Sequence, residues 1–269
     1  MRYRPISFFS WTFAFSWVPW FAAAWCSRDG LQGATLLLSF LGLLGPVTSA
    51  LIHLRRADDA ALWRDFKDRL VNLRRLNWRY LPATLLLMPV ATGLAIWISL
   101  TWRAPASQWT LIPNLFAMLP LMFLAPFFEE LGWRGYGVDA LRGRMGMGGA
   151  TAAFAALWTL WHAPLFLIDH TYQHDLRALG PIYVANFFVS VVPAAIVSNW
   201  LYYKHRRSIA AAVLFHFMLD AVAEGFRIEQ STKCIITVVF LAVAVLILAF
   251  DRKAFVQPSR DFIAEEVAD

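Results

Sequence analysis

The chain has 269 residues, 59% of them apolar and only 16% charged, with a mean hydropathy of +0.53. A soluble domain carries roughly 25% charged residues, so these side chains cannot cover a soluble surface, and 13 Trp and 22 Phe deepen the deficit. A soluble single-domain enzyme, a disordered chain and a nucleic-acid-binding module are excluded together, leaving an all-α polytopic membrane protein of about eight spans.

The 24 Lys and Arg against 18 Asp and Glu therefore report topology, and the partner they imply is the lipid bilayer rather than nucleic acid. Only four of them are Lys; the Arg bias, with abundant Ala, points to a GC-rich bacterial source. Cys26 and Cys234 are too few for a disulfide framework or a Cys-based zinc site.

Eight apolar stretches are predicted as spans, in chain order 6–26, 31–54, 81–101, 113–128, 151–168, 181–203, 208–225 and 234–250. The first follows Arg2 and Arg4 and is longer than a secretory signal core, so it reads as a retained span. Between the second and third lies a charged stretch in which Leu62, Phe66, Leu70 and Leu73 recur at helical spacing. It predicts an amphipathic helix on the cytoplasmic leaflet, with its Arg residues turned to anionic headgroups. With the N-terminus inside, 19 basic residues fall in inside segments and five in outside ones, which places both termini in the cytoplasm. The polar segment 251–269, with Glu265 and Glu266, reads as a cytoplasmic tail.

Ionisable groups within spans are costly, and each is a candidate for function. At the predicted cytoplasmic end of the fourth span stand Glu129, Glu130 and Arg134. Neighbouring side chains on a helix point about 100° apart, so the two carboxylates cannot share one role. Glu130 and Arg134 are four residues apart and suited to an ion pair, which leaves Glu129 to face a cavity as a proton acceptor. The fifth span carries Trp158 and His162 on one face, and the seventh carries His216 and Asp220 on one face. A His–Asp pair can also serve only to lock a helix bundle. A second cluster, Asp169, His170, His174 and Asp175, lacks the Glu that a zinc-peptidase helix places after its first His, and falls in an outside loop.

Together, Glu-Glu-x-x-x-Arg, aromatic-x-x-x-His and His-x-x-x-Asn/Asp on successive spans resemble the CPBP family. That family comprises the type II CAAX prenyl endopeptidases and the bacteriocin-processing and immunity proteases. The resemblance covers about residues 110–225. It divides the chain into N-terminal helices (1–110), a protease-like core (111–225), and a last helix with its tail (226–269).

The resemblance implies intramembrane hydrolysis of a peptide bond in a membrane-associated peptide or protein. Water would be activated by Glu129 and His162, Glu130 and Arg134 would hold the site, and His216 with Asp220 would stabilise the oxyanion. The alternative is a divalent metal, zinc, on Glu129, His162 and His216. Two positions depart from the family pattern: Trp158 stands where Phe is frequent, and Asp220 where the prenyl endopeptidases have Asn. An ionised Asp220 would repel an oxyanion, so it must be protonated, orient His216 or ligate a cation. A non-catalytic membrane scaffold or immunity protein of the same fold, and a proton-coupled transporter, are the rival readings. The expected location is the cytoplasmic membrane, with the site below its cytoplasmic surface.

Overall fold

The computed structural model describes residues 3–102 and 110–259. The expected cytoplasmic charges Arg2 and Arg260, the outside Arg103 and the distal tail lie beyond them. Thirteen α-helices follow one another in the described residues: α1 (Pro5–Arg28), α2 (Gln32–Leu43), α3 (Gly45–Arg56), α4 (Ala60–Val71), α5 (Leu81–Thr101), α6 (Leu115–Gly132), α7 (Val138–Arg142), α8 (Met147–Trp161), α9 (Tyr172–Leu179), α10 (Pro181–Lys204), α11 (Ile209–Gly225), α12 (Gln230–Phe250) and α13 (Arg252–Phe255). One short antiparallel pairing, Thr110 to Arg227 and Leu111 to Phe226, is the β-structure among them.

All eight apolar stretches are helical. Among the described residues, five helical segments are long and apolar enough to cross a membrane, and α2 with α3 adds a sixth as a pair bent by 43°. The bend falls where Gly45 and Pro46 begin α3, because proline has no N–H to continue the ladder of α2. The other two stretches are α1, of 24 residues, and α11, of 17. The latter carries His216, Asp220 and Glu224, ionisable groups that are costly in a membrane interior.

The fourth stretch departs from expectation. The helix does not end at the two glutamates but runs on through a π-helical segment, Trp133–Gly137, into α7, giving one span over Leu115–Arg142. Glu129 therefore lies near the middle of a 28-residue span, about 20 Å along the axis from either end. Glycines permit this. A Cβ on Gly132 would stand 2.4 Å from the Pro46 carbonyl carbon, and one on Gly135 would meet the Phe66 ring at 2.7 Å.

The second correction concerns α4. Asp59 caps its N-terminus, accepting from the Ala61 and Leu62 N–H groups, and its apolar face (Leu62 and Phe66) is buried against the protein. Arg69 faces no headgroup. It is fully buried and donates to the carbonyls of Arg134 (2.6 Å) and Gly135 (2.9 Å) in the π-segment. Leu73 lies past the end of α4 and is exposed.

Around Arg69 the charges close on one another. Its Nε meets Asp65 at 2.7 Å, Arg207 binds both oxygens of Asp65 at 2.9 Å, and Arg207 reaches Asp139 at 2.7 Å. The Tyr202 and Tyr203 hydroxyls complete the acceptors of Asp139 at 2.9 and 3.1 Å. Burial would raise the Asp65 carboxyl, but the Arg69 and Arg207 guanidiniums outweigh it and hold the group below its ordinary value. Arg69, Arg134, Arg142 and Arg207 are thus internal groups, not surface markers of topology. Removing them from the inside count leaves the basic asymmetry intact.

Two apolar cores flank the site. One gathers α1, α3, α4, α6 and α8 around Trp133, whose ring stacks on Phe9 and meets Phe154 and Trp161 edge-on. The other joins α5, α10, α11 and α12 through Met88, Leu201, Phe215 and Phe240. Helix α11 packs on α6, α5 and α10, and His216 on its polar face is buried.

Candidate active site

The three motifs converge. Glu129, Trp158, His162, His216 and Asp220 line one chamber of about 500 Å³, and Glu130 and Arg134 stand immediately behind its wall. All six expected site residues are therefore assembled, in two layers.

In the layer behind the wall, Arg134 Nη1 bridges both oxygens of Glu130, at 2.7 and 2.9 Å. Its Nη2 donates to Asn199 Oδ1 at 3.0 Å, and Asn199 in turn donates to Thr151 Oγ1 at 3.2 Å. The guanidinium lies over the Phe154 ring at 4.6 Å, while its Nε has no partner among the described residues. Glu130 Oε1, the closer oxygen to Arg134, also accepts from His216 Nδ1 at 2.9 Å, the carboxylate being the acceptor and the ring N–H the donor. Glu130 thus links a fixed cation on its own helix to the imidazole of α11.

Glu129 points the other way, as the 100° step requires. Its Oε2 accepts from two indoles, Trp133 Nε1 and Trp158 Nε1, each at 3.1 Å. Its Oε1 has no hydrogen-bond partner among the described residues and is not a sealed atom, so it is the oxygen available to the chamber. His162, at the C-terminal end of α8, donates Nδ1–H to the Trp158 carbonyl at 2.7 Å. That bond fixes the neutral tautomer and leaves the Nε2 lone pair unengaged. Trp161 and Phe187 hold the ring edge-on, with centroids at 5.0 and 5.4 Å. Trp158 therefore touches three parts of the site: it bonds Glu129, its backbone orients His162, and its ring meets His216 edge-on at 5.2 Å.

Asp220 Oδ1 lies 3.8 Å from His216 Nε2, too far for a hydrogen bond and close enough for charge to act. Of the roles open to Asp220, this geometry matches the electrostatic orientation of His216. The metal alternative has less support. Among the described residues no three His, Cys, Asp or Glu side chains gather closely enough to hold an ion. The bonds that hold the expected ligands use Glu129 Oε2, His162 Nδ1 and His216 Nδ1, and leave Glu129 Oε1 and the two Nε2 atoms for the chamber they share. The second His–Asp cluster stays apart: His174 pairs with Asp169 at 3.2 Å and Asp175 at 3.4 Å, and none of the three lines the chamber.

Several residues that build the site carry little sequence signal. Asn199 is an uncharged polar group inside an apolar run, visible only as an amide with no obvious reason to be there. The chamber walls draw on the whole chain: Trp20 from α1, Phe40 from α2, Met88 from α5 and Phe240 from α12.

Comparison with known proteins decides what this arrangement belongs to. A family model described as type II CAAX prenyl endopeptidase, Rce1-like, matches residues 111–222, the segment holding all three motifs. CAAX prenyl protease 2 of Methanococcus maripaludis is 34% identical over 261 residues, covering 94% of this chain and 96% of that protein. The chain belongs to the Rce1-like type II CAAX prenyl endopeptidase family. It is a multi-pass membrane member of that protease family, and its departure at Asp220 is now placed: the side chain stands one turn outward from His216, on the chamber wall.

Because Arg134 and Glu130 neutralise one another without water, removing one partner alone strands the other. Arg134→Met should destabilise the detergent-solubilised protein by about 3–5 kcal/mol, and Glu130→Gln with Arg134→Met should recover a large part of that loss. Thermal unfolding of the two single variants and the double variant measures this; strictly additive losses would contradict a coupled pair.

Proposed function

We propose that this protein is an intramembrane endopeptidase that hydrolyses a peptide bond of a membrane-associated peptide or protein, with Glu129 as general base. The observation that carries the reading is the division of labour between the adjacent glutamates. Glu130 is neutralised by Arg134 and His216, whereas Glu129 presents one oxygen to a chamber that His162 also lines.

A water between Glu129 Oε1 and His162 Nε2 meets two acceptors and so donates a proton to each. Its lone pair is then left to face a peptide carbonyl. As the water oxygen bonds to that carbon, its proton passes to Glu129 and the carbonyl electrons move to oxygen, where His216 Nε2–H donates to the oxyanion. Collapse of the tetrahedral carbon breaks the C–N bond, and Glu129 returns the proton to the departing amine. Asp220, 3.8 Å from Nε2, stabilises the proton on His216 without entering the reaction. Among the described residues no three such side chains gather closely enough to hold an ion, and no step here passes through zinc.

The basic asymmetry supports a location in the cytoplasmic membrane with both termini inside. The chamber widens toward Tyr172, Gln173, Glu224 and Lys233, at helix ends that this orientation puts outside. Substrate would then approach from the non-cytoplasmic half of the bilayer, rather than from just below the cytoplasmic surface.

Two measurements test these statements. With reconstituted protein and a prenylated CAAX peptide library, Glu129→Gln and His162→Ala should each lower cleavage by about 10²–10⁴-fold, and a chelator should leave the wild-type rate unchanged. Cleavage that survives Glu129→Gln would overturn the assignment, and loss of activity in chelator would restore the metal alternative. For orientation, in a background with Cys26→Ala and Cys234→Ala, a membrane-impermeant maleimide on intact cells should label Glu229→Cys and spare Lys67→Cys; the opposite pattern would invert the topology.

A further inference from the structure

The amphipathic helix α4 turns its apolar face inward, and the residues that follow it do the opposite. In the segment 71–79, between the end of α4 and the start of α5, Val71 is 70% exposed, Leu73 66% and Trp78 83%. Large apolar side chains grouped in one short segment are costly to leave in water. The membrane-crossing helix α5 begins at Leu81, so Trp78 stands about one turn before it, at the level where tryptophan is enriched in membrane proteins.

The segment is held as a platform. Asn77 donates its backbone N–H to His205 Nδ1 at 2.9 Å and its side-chain amide to the Lys204 carbonyl at 3.3 Å. Arg75 Nη1 donates to the Arg206 carbonyl at 2.7 Å, and Arg206 Nη1 donates back to the Arg74 carbonyl at 3.3 Å. These bonds pin the turn after α10 against the segment before α5. In that turn Arg206 and Arg207 take left-handed backbone angles, φ 53° and 63°, which residues with a Cβ rarely adopt. Arg207 turns inward to Asp65 and Asp139, and Arg206 is left exposed. The acids nearby are already used: Asp68 pairs with Arg75, and Asp251 with Lys204. Arg74, Arg79 and Arg206 are exposed and form no ion pair with a carboxylate among the described residues.

We infer that Arg74, Arg79 and Arg206, with Trp78, form a binding site for an anionic phospholipid of the leaflet at this end of the bundle. Guanidiniums present paired N–H donors that fit phosphate oxygens. An anionic lipid supplies the net charge that the three arginines lack, whereas a zwitterionic lipid brings its own cation and compensates nothing. The exposed indole and Leu73 belong at the boundary of headgroups and acyl chains. A soluble anion would meet the arginines but leave Val71, Leu73 and Trp78 in water, so the apolar groups select a lipid. The headgroup contact expected of α4 thus falls to the segment after it. This site is separate from the chamber and does not depend on the hydrolytic reading.

Full-length protein in detergent is titrated with phosphatidylglycerol or with phosphatidylcholine of the same chains, and bound lipid is counted by native mass spectrometry. Phosphatidylglycerol should bind about tenfold more tightly, because each basic residue at the surface adds to the attraction. Inorganic phosphate should not displace it. Arg74→Gln, Arg79→Gln and Arg206→Gln combined should abolish the preference. Arg64→Gln, Arg252→Gln and Lys253→Gln combined, which remove the same charge from other exposed positions, should keep it. Equal affinity for the two lipids, displacement by phosphate, a preference that survives the first triple variant, or one lost equally in both would overturn the inference. A second measurement leaves the arginines in place. With Cys26→Ala, Cys234→Ala and Leu73→Cys, a fluorophore on the new thiol in phosphatidylglycerol nanodiscs should be quenched by a headgroup-linked nitroxide lipid and shielded from aqueous acrylamide; the reverse pattern would equally overturn it.

Discussion

A guanidinium and a carboxylate one helical turn apart, both fully buried, must neutralise each other. Arg134 and Glu130 meet through two bonds, 2.7 and 2.9 Å, with further bonds to Asn199 and His216, and the Arg134 Nε is left without a partner among the described residues. Everything else at the site follows from that closure. The Glu130 carboxylate is committed to Arg134 and His216, and the adjacent Glu129, turned by one residue step, is the group with an oxygen on the chamber. His216 is aimed by the same carboxylate, which leaves its other nitrogen toward Asp220 and the cavity. Breaking such a buried pair by removing one partner costs about 3–5 kcal/mol, a large fraction of a typical protein's stability.

The pair depends on an irregular stretch of helix. The π-segment Trp133–Gly137 follows directly upon the glutamates, and its carbonyls at Arg134 and Gly135 are taken by Arg69, from a helix outside the membrane-spanning set. Arg69 is itself held by Asp65, and the cluster with Arg207, Asp139 and the two tyrosines balances two cations with two anions. The amphipathic helix thus serves as a clamp on the backbone that carries the site. The nearest glycine, Gly135, lets Phe66 of that helix approach the π-segment closely enough for the clamp to reach.

Much of this is legible from residues alone, and the exceptions have physical causes. Apolar runs report membrane-length helices because a bilayer leaves no other conformation for them, and all eight stretches are helical. Glu129 and Glu130 can be told apart from their spacing to Arg134, since angular position on a helix is set by number. The extension of α6 into α7 is not legible: two acids, an arginine and three glycines look like a helix end, and only packing against Pro46 and Phe66 keeps them helical. Arg69 cannot be distinguished from a headgroup-facing arginine, because periodicity defines a face without saying what covers it. Asn199, uncharged, is lost among apolar neighbours. In each case the missing information is the partner, which only the tertiary structure supplies.

The central claim is that Glu129 activates a water rather than attacking the peptide itself. Isotope tracing distinguishes the two most directly. In a single turnover of excess protein in ¹⁸O-enriched water, direct attack by water puts the label in the carboxylate of the cleaved peptide and none in the protein. An acyl intermediate on Glu129 that water opened at the Glu129 carbonyl would instead leave ¹⁸O in its side chain. Mass spectrometry of the proteolytic fragment holding Glu129 should find it unlabelled; label there would contradict the account.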